Sequence, residues 1–129
     1  MRIYVAAPWS CKAFAQSAAE KFEAAGHTIT KKWWEHGEVP TYLTDDDSAD
    51  DELAIQASED LAGIMDADLF VLLNIEPSES KCVETGLALA FGTPIIIVGR
   101  RSNLFHYLPD IPTVPDLAAA LNWIALCVP

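Results

Sequence analysis

Glu84 is the one carboxylate in the run "VETGLALAFGTPIIIVG", and Asp60 stands just ahead of the apolar stretch "LAGIM". Two carboxylates on neighbouring elements can do glycosidic chemistry, in which one attacks the sugar carbon and the other protonates the leaving group. The spacing puts Glu84 in the first turn of a helix over 83–91, where unpaired N–H groups and the helix dipole favour negative charge. A carboxylate so placed is expected to be ionised at neutral pH and competent as a nucleophile or electrostatic stabiliser. The same position also admits a purely structural role, closing a capping box with Ser80 or Lys81. Asp60 falls on a helix over 52–65 and is expected to face away from Leu61, Ile64 and Met65. Asp66 and Asp68 compete with it, but they open a strand and so belong to the opposite edge of a sheet.

The elements that must position these acids are legible as alternating patterns. Four short apolar runs read as buried strands: "IYVAA" (3–7), "TITKKW" (28–33), "LFVLLN" (69–74) and "PIIIVG" (94–99). Helical periodicity fills the gaps at 12–25, 52–65, 83–91 and 115–127, with Gly26 and Gly92 as stops. Strands buried on both faces and alternating with helices predict an α/β fold, a doubly wound, flavodoxin- or Rossmann-like parallel sheet of four to five strands with helices on both faces. A single domain over 1–129 suits the length. Ligands of such sheets sit beyond the carboxyl ends of the strands, where strand order reverses.

Six of the eight basic residues, Lys12, Lys31, Lys32, Lys81, Arg100 and Arg101, fall at or near that edge. In a chain of net charge −11 this predicts an anionic small molecule there, although exposed loops also collect cations without any ligand. The overall charge argues against nucleic acid and anionic membrane surfaces as partners. No apolar run reaches the roughly 18 residues of a membrane span, and the expectation is a soluble, cytoplasmic protein. Cys11, Cys82 and Cys127 are widely spaced, which predicts free thiols and no structural metal site. The acidic run "DDDSADDE" at 45–52 reads as a solvated segment leading into a helix.

Four blocks in order resemble one family, the nucleoside 2-deoxyribosyltransferases and the related 2′-deoxynucleoside 5′-monophosphate N-hydrolases. "IYVAAPW" is similar to the family's first strand, "EDLAGIMDADLFVLL" to the block with a helix aspartate before the third strand, and "VETGLALAFGTPIIIVG" to the nucleophile block. "SNLFHYL" resembles a segment that the family lends to a neighbouring subunit's active site. The resemblance implies that Glu84 attacks the anomeric carbon to give a covalent 2-deoxyribosyl enzyme, that Asp60 handles protons around the departing base, and that Tyr4 hydrogen-bonds and orients Glu84. It further implies substrate-binding roles for Trp9 and Ser10 after the first strand, for Ser78 and Lys81 before the nucleophile, and for Asn103, reaching across a subunit interface. A homodimer or higher homo-oligomer with shared active sites is therefore expected.

The loop "IEPSESKC" lacks the glycines common there in relatives. Six residues before the nucleophile the transferases tend to carry an acid and the nucleotide hydrolases a serine. Ser78 occupies that position, which leans toward a 5′-monophosphate. The function so expected is cleavage of the N-glycosidic bond of a 2′-deoxynucleoside or its 5′-monophosphate, with water or a second base as acceptor and no metal or organic cofactor. The alternative is a non-catalytic nucleotide-binding or sensing module on the same sheet. A dinucleotide or flavin site is disfavoured because no G-x-G-x-x-G follows the first strand.

Overall fold

The computed structural model describes residues 1–36 and 50–127. Five strands, β1 (Arg2–Ala6), β2 (Thr28–Ile29), β3 (Leu69–Asn74), β4 (Ile95–Gly99) and β5 (Thr113–Val114), form one all-parallel sheet in the order β2-β1-β3-β4-β5. Helices α1 (Lys12–Ala24), α2 (Asp50–Asp66) and α3 (Glu79–Phe91) supply the first three crossovers, a short 3-10 helix (Leu104–Tyr107) lies between β4 and β5, and α4 (Leu117–Cys127) follows β5. The doubly wound expectation holds, and strand order reverses between β1 and β3.

Each central strand divides its apolar residues between two layers, because successive side chains leave opposite faces of the pleat. Ile3, Val5, Leu69, Val71, Leu73, Ile96 and Val98 pack in one core with Ala15, Ala18, Ala19 and Phe22 of α1 and Leu117, Ala120 and Ile124 of α4. The small residues of α1 let that helix lie close on the sheet. On the other face Tyr4, Ala6, Phe70, Leu72, Ile95 and Ile97 meet Ile64 of α2, Ala88 of α3 and Ile111. Tyr4 pairs with Phe70 in register, and their rings stack at 5.6 Å. Pairing thus fixes where on β1 the phenol stands, one layer below α2 and α3.

Several element bounds differ from expectation. The second strand ends at Ile29, not 33, since only Thr28 and Ile29 pair with β1. After it the chain turns through a short 3-10 helix, Trp33–Glu35, and the Trp33 indole donates to the Val5 carbonyl at 2.7 Å, satisfying a group at the end of β1. Helix α3 begins at Glu79, four residues before its expected start, with Ser78 as its N-cap, its hydroxyl accepting from Lys81 N at 3.5 Å. Residues 50–52 of the acidic run form the first turn of α2, where negative charge suits the dipole; 45–49 lie outside the described residues. Among the described residues no helix is long and apolar enough to cross a membrane.

Gly99 closes β4 at φ +115°, and a Cβ there would stand 2.8 Å from the Asn74 carbonyl oxygen on the neighbouring strand. Gly99→Ala is expected to cost about 1–3 kcal/mol, from the left-handed backbone and the contact together, read as a lower urea midpoint with unchanged slope.

Candidate active site

Helix α3 turns a stripe of Lys81, Thr85 and Ala88 inward, and Glu84 shares that side at helical spacing. Its carboxylate Oε2 accepts a hydrogen bond from the Tyr4 hydroxyl on β1. On α2 the inward stripe contains Asp60, Gly63 and Ile64, while Leu61 and Met65 lie exposed. The expected orientation of Asp60 is therefore reversed with respect to Ile64, which shares its face. The apolar residues flanking an amphipathic helix do not by themselves mark the buried side; here a glycine and an acid do. Asp60 Oδ1 is buried and has no hydrogen-bond partner among the described residues. Asp66 and Asp68 bind the side chain and backbone N–H of Arg2 at the far edge, as their position implied.

The electrostatics correct the expectation for Glu84. It is the sixth residue of α3, beyond the first turn in which the dipole acts strongly. Burial pushes its pKa up to about 7; the Tyr4 hydroxyl opposes this and the charge on Asp60 adds to it. Asp60 is also raised by burial, while Lys31 and His36 pull it down and Glu59 pushes it up. Tyr4 is raised well above an ordinary phenol, by burial first and then by the charges of Glu84 and Asp60. Three groups from β1, α2 and α3 thus form one coupled cluster in which a single proton matters to all.

Three of the remaining expected site residues, Ser78, Lys81 and Asn103, gather at a second place, over the carboxyl ends of β3 and β4, while Trp9 and Ser10 stand outside its lining. A cavity of about 620 Å³ there is lined by Asn74, Glu76, Ser78, Lys81, Arg100 and Asn103, among others, and extends along α3 to Val83, the neighbour of Glu84. Lys81 is buried, its ammonium donating to Asn74 Oδ1 at 2.5 Å and to the Glu76 carbonyl, and burial lowers its pKa. Its charge organises the loop after β3. Ser10 donates to Glu76 Oε2 at 2.6 Å, tying the β1 loop to the same place. Trp9 is half-buried, with Lys12 over its ring at 4.9 Å and Trp33 tilted against it at 5.9 Å. Asn103 caps the 3-10 turn Leu104–Tyr107, its Oδ1 accepting from Phe105 N at 2.9 Å.

The cationic edge is more committed than its sequence positions imply. Lys31 pairs with Glu59 and Lys32 with Glu23, and Arg101 donates to the His106 carbonyl. Arg100 is exposed and lines the cavity. Among the described residues no group of three or more His, Cys, Asp or Glu is arranged to hold a metal ion. Sequence reasoning missed Gly63, where a Cβ would stand 2.8 Å from Lys31 Cβ and 3.2 Å from Tyr4 Cδ2. A glycine inside an otherwise regular helical pattern is the signal that could have found this close approach.

No protein-family model matches the sequence, and no curated protein matches it. Among solved structures the chain is similar to the CMP N-glycosidase BcmB of Clostridium botulinum, with a TM-score of 0.60 and 18% identity over 98% of this chain and 99% of that one. It is similar also to a 2-deoxyribosyltransferase from Bacillus psychrosaccharolyticus, with a TM-score of 0.67 and 16% identity over 95% of this chain and 91% of that one. At these identities the likeness establishes a shared fold over nearly the whole chain.

The raised pKa of Glu84 has a consequence for stability. A carboxyl that titrates near 4.5 when unfolded and near 7 when folded binds its proton more tightly in the folded state, so its own contribution to stability is fully present below pH 4.5 and is lost as pH rises through about 7. The loss attributable to this group is about 3 kcal/mol. Glu84→Gln, which keeps an acceptor for Tyr4, is expected to be more stable than the wild type at pH 8 by about 1–3 kcal/mol and close to it at pH 4.5, measured by urea denaturation.

Proposed function

We propose that the protein cleaves the N-glycosidic bond of a 2′-deoxynucleoside or its 5′-monophosphate by double displacement. The observation that carries this reading is the pairing of Glu84, gripped by the Tyr4 hydroxyl, with Asp60, whose buried Oδ1 has no partner among the described residues. The fold shared with a CMP N-glycosidase and a 2-deoxyribosyltransferase supports it, as does the order of the four sequence blocks.

In this mechanism the Tyr4 hydrogen bond occupies Oε2 and orients Glu84 so that Oε1 attacks the anomeric carbon. The C1′–N bond breaks, its electron pair leaves with the base, and Asp60 delivers a proton to that base. The absence of a 2′-hydroxyl eases the positive charge that develops on the sugar. Asp60, now ionised, takes a proton from an incoming water or second base. That nucleophile attacks C1′, the ester bond to Glu84 breaks, and both carboxyls return to their starting state. Water exclusion after the first base departs decides between hydrolysis and transfer.

For a 5′-monophosphate, the cavity beside α3 offers the hydroxyl of Ser78 and the exposed guanidinium of Arg100. Trp9 follows β1, one of the two strands that flank the reversal of strand order, and is assigned to the base. Asn103 is followed by the exposed Leu104, Phe105 and Tyr107, a patch suited to a second copy of the chain, and the proposed oligomer brings Asn103 to a neighbouring site.

A panel of deoxynucleosides and their monophosphates, with and without a second base, is scored by chromatography for released base and new nucleoside. Glu84→Ala is expected to lower release by at least about 10³-fold and Asp60→Asn by about 10²–10⁴-fold. The wild-type rate should pass through a maximum with pH and fall as pH rises above about 7, since the mechanism needs one proton on the pair: with both carboxyls ionised Asp60 has none to deliver, and with both protonated Glu84 is a poor nucleophile. Release by Glu84→Ala at the wild-type rate refutes the assignment, and tight binding without turnover favours the sensing module.

A further inference from the structure

A lysine is drawn in beneath α2 beside the carboxylate pair. Lys31 follows β2, and its side chain is only 16% exposed. Its ammonium donates to Glu59 Oε2 and lies 2.8 Å from His36 Nε2, which is itself 3.6 Å from the same Glu59 oxygen. The lysine stem runs against Gly63, which the Tyr4 ring also touches. Gly63 is three residues on from Asp60, so one face of α2 turns Asp60 and Gly63 together toward the cation and the phenol. An exposed Lys–Glu pair alone contributes little and does not account for a lysine ordered at this depth.

We propose that Lys31, pinned by Glu59 and His36, is a positioning residue that sets which carboxylate of the pair carries the negative charge, holding it on Asp60 in the free protein. The charges that act on Asp60 are those of Lys31 and His36 from the segment after β2 and of Glu59 on its own helix, and Asp60 in turn acts on Tyr4 of β1 and Glu84 of α3. Of these, only Lys31 is a permanent cation at neutral pH. With one proton on the pair, a nearby ammonium favours the form with Asp60 ionised and the proton on Glu84. The catalytic meaning of this rests on the reaction proposed above: the reactive form is the other one, so Lys31 restrains Glu84 until a base seated against Asp60 changes the balance. Glu59 tempers the effect by drawing the ammonium to itself.

The test reads the carboxyls directly and needs no turnover, so failure of the proposed reaction leaves it intact. Protein carrying ¹³C-labelled Asp and Glu carboxyls is titrated by NMR, with Asp60 and Glu84 assigned from Asp60→Asn and Glu84→Gln. In Lys31→Met the Asp60 midpoint is expected to rise by about one pH unit and that of Glu84 to fall. In Glu59→Gln the Asp60 midpoint is expected to move the opposite way, because a neighbouring negative charge is lost and the ammonium is released toward Asp60. Lys32→Met, which loses the pair with Glu23, should leave both in place. An unchanged Asp60 midpoint in Lys31→Met, a shift of the same sign in Lys31→Met and Glu59→Gln, or an equal shift in Lys32→Met overturns the inference. If Lys31→Met loses its far-ultraviolet dichroism, Glu59→Gln decides alone: a lower Asp60 midpoint supports the inference, and an unchanged or higher one overturns it.

Discussion

The Tyr4 hydroxyl reaches the Glu84 carboxylate from 80 residues away in sequence, and the arrangement of α2, α3 and the sheet beneath them turns on that contact. A phenol at the centre of β1 has no exposure to water and must find an acceptor within the layer above it. A carboxylate on the inward side of α3 has the converse need for a donor. Each is costly alone, and together they fix the register of α3 over β1. The stack of Tyr4 on Phe70 holds the ring, and Gly63 lets α2 come close enough to close the cluster from the other side.

Two electrostatic effects compete at Glu84, and their sizes decide the outcome. The dipole of a helix start contributes about 0.3–1 kcal/mol and fades within one turn. A carboxyl moved from about 4.5 to about 7 records a net penalty of about 3 kcal/mol on its charged form. Burial therefore wins over the dipole, even with the Tyr4 hydrogen bond acting against it. The consequence is a site that costs the fold stability at neutral pH and keeps a carboxylate near its titration point, the condition in which it exchanges protons with its surroundings most readily.

Two regions lie apart on the sheet. Between α2, α3 and β1 lies the coupled cluster of Tyr4, Asp60 and Glu84; beyond the ends of β3 and β4 lies a roomy cavity with Ser78, Arg100 and Asn103 at its walls. Helix α3 joins them, since Val83 lines the cavity and Glu84 follows it. Lys81 and Ser10, both tied to Glu76, brace the loop between the two regions. The reversal of strand order lies between β1 and β3, whereas the cavity opens one strand further along, between the loops after β3 and β4.

The pattern of residues along the chain determined the layering. Apolar runs such as "LFVLLN" and "PIIIVG" can be buried on both faces only in a parallel sheet covered by helices, and the periodic gaps supplied those helices. The resemblance of four blocks singles out Tyr4, Asp60 and Glu84, and the fold brings these three together. Short edge elements were less legible: β5 has two residues, and β2 stops where the Trp33 indole takes over a β1 carbonyl. Only the tertiary structure decided how deep Glu84 lies, which side of α2 faces inward, and that Lys31 is engaged by Glu59 and His36 instead of standing open at the ligand edge. Periodicity assigns a residue to a face, but desolvation depends on how many layers cover that face and on which distant groups share it. That is a sum over the whole packed molecule, and no local stretch of sequence contains it.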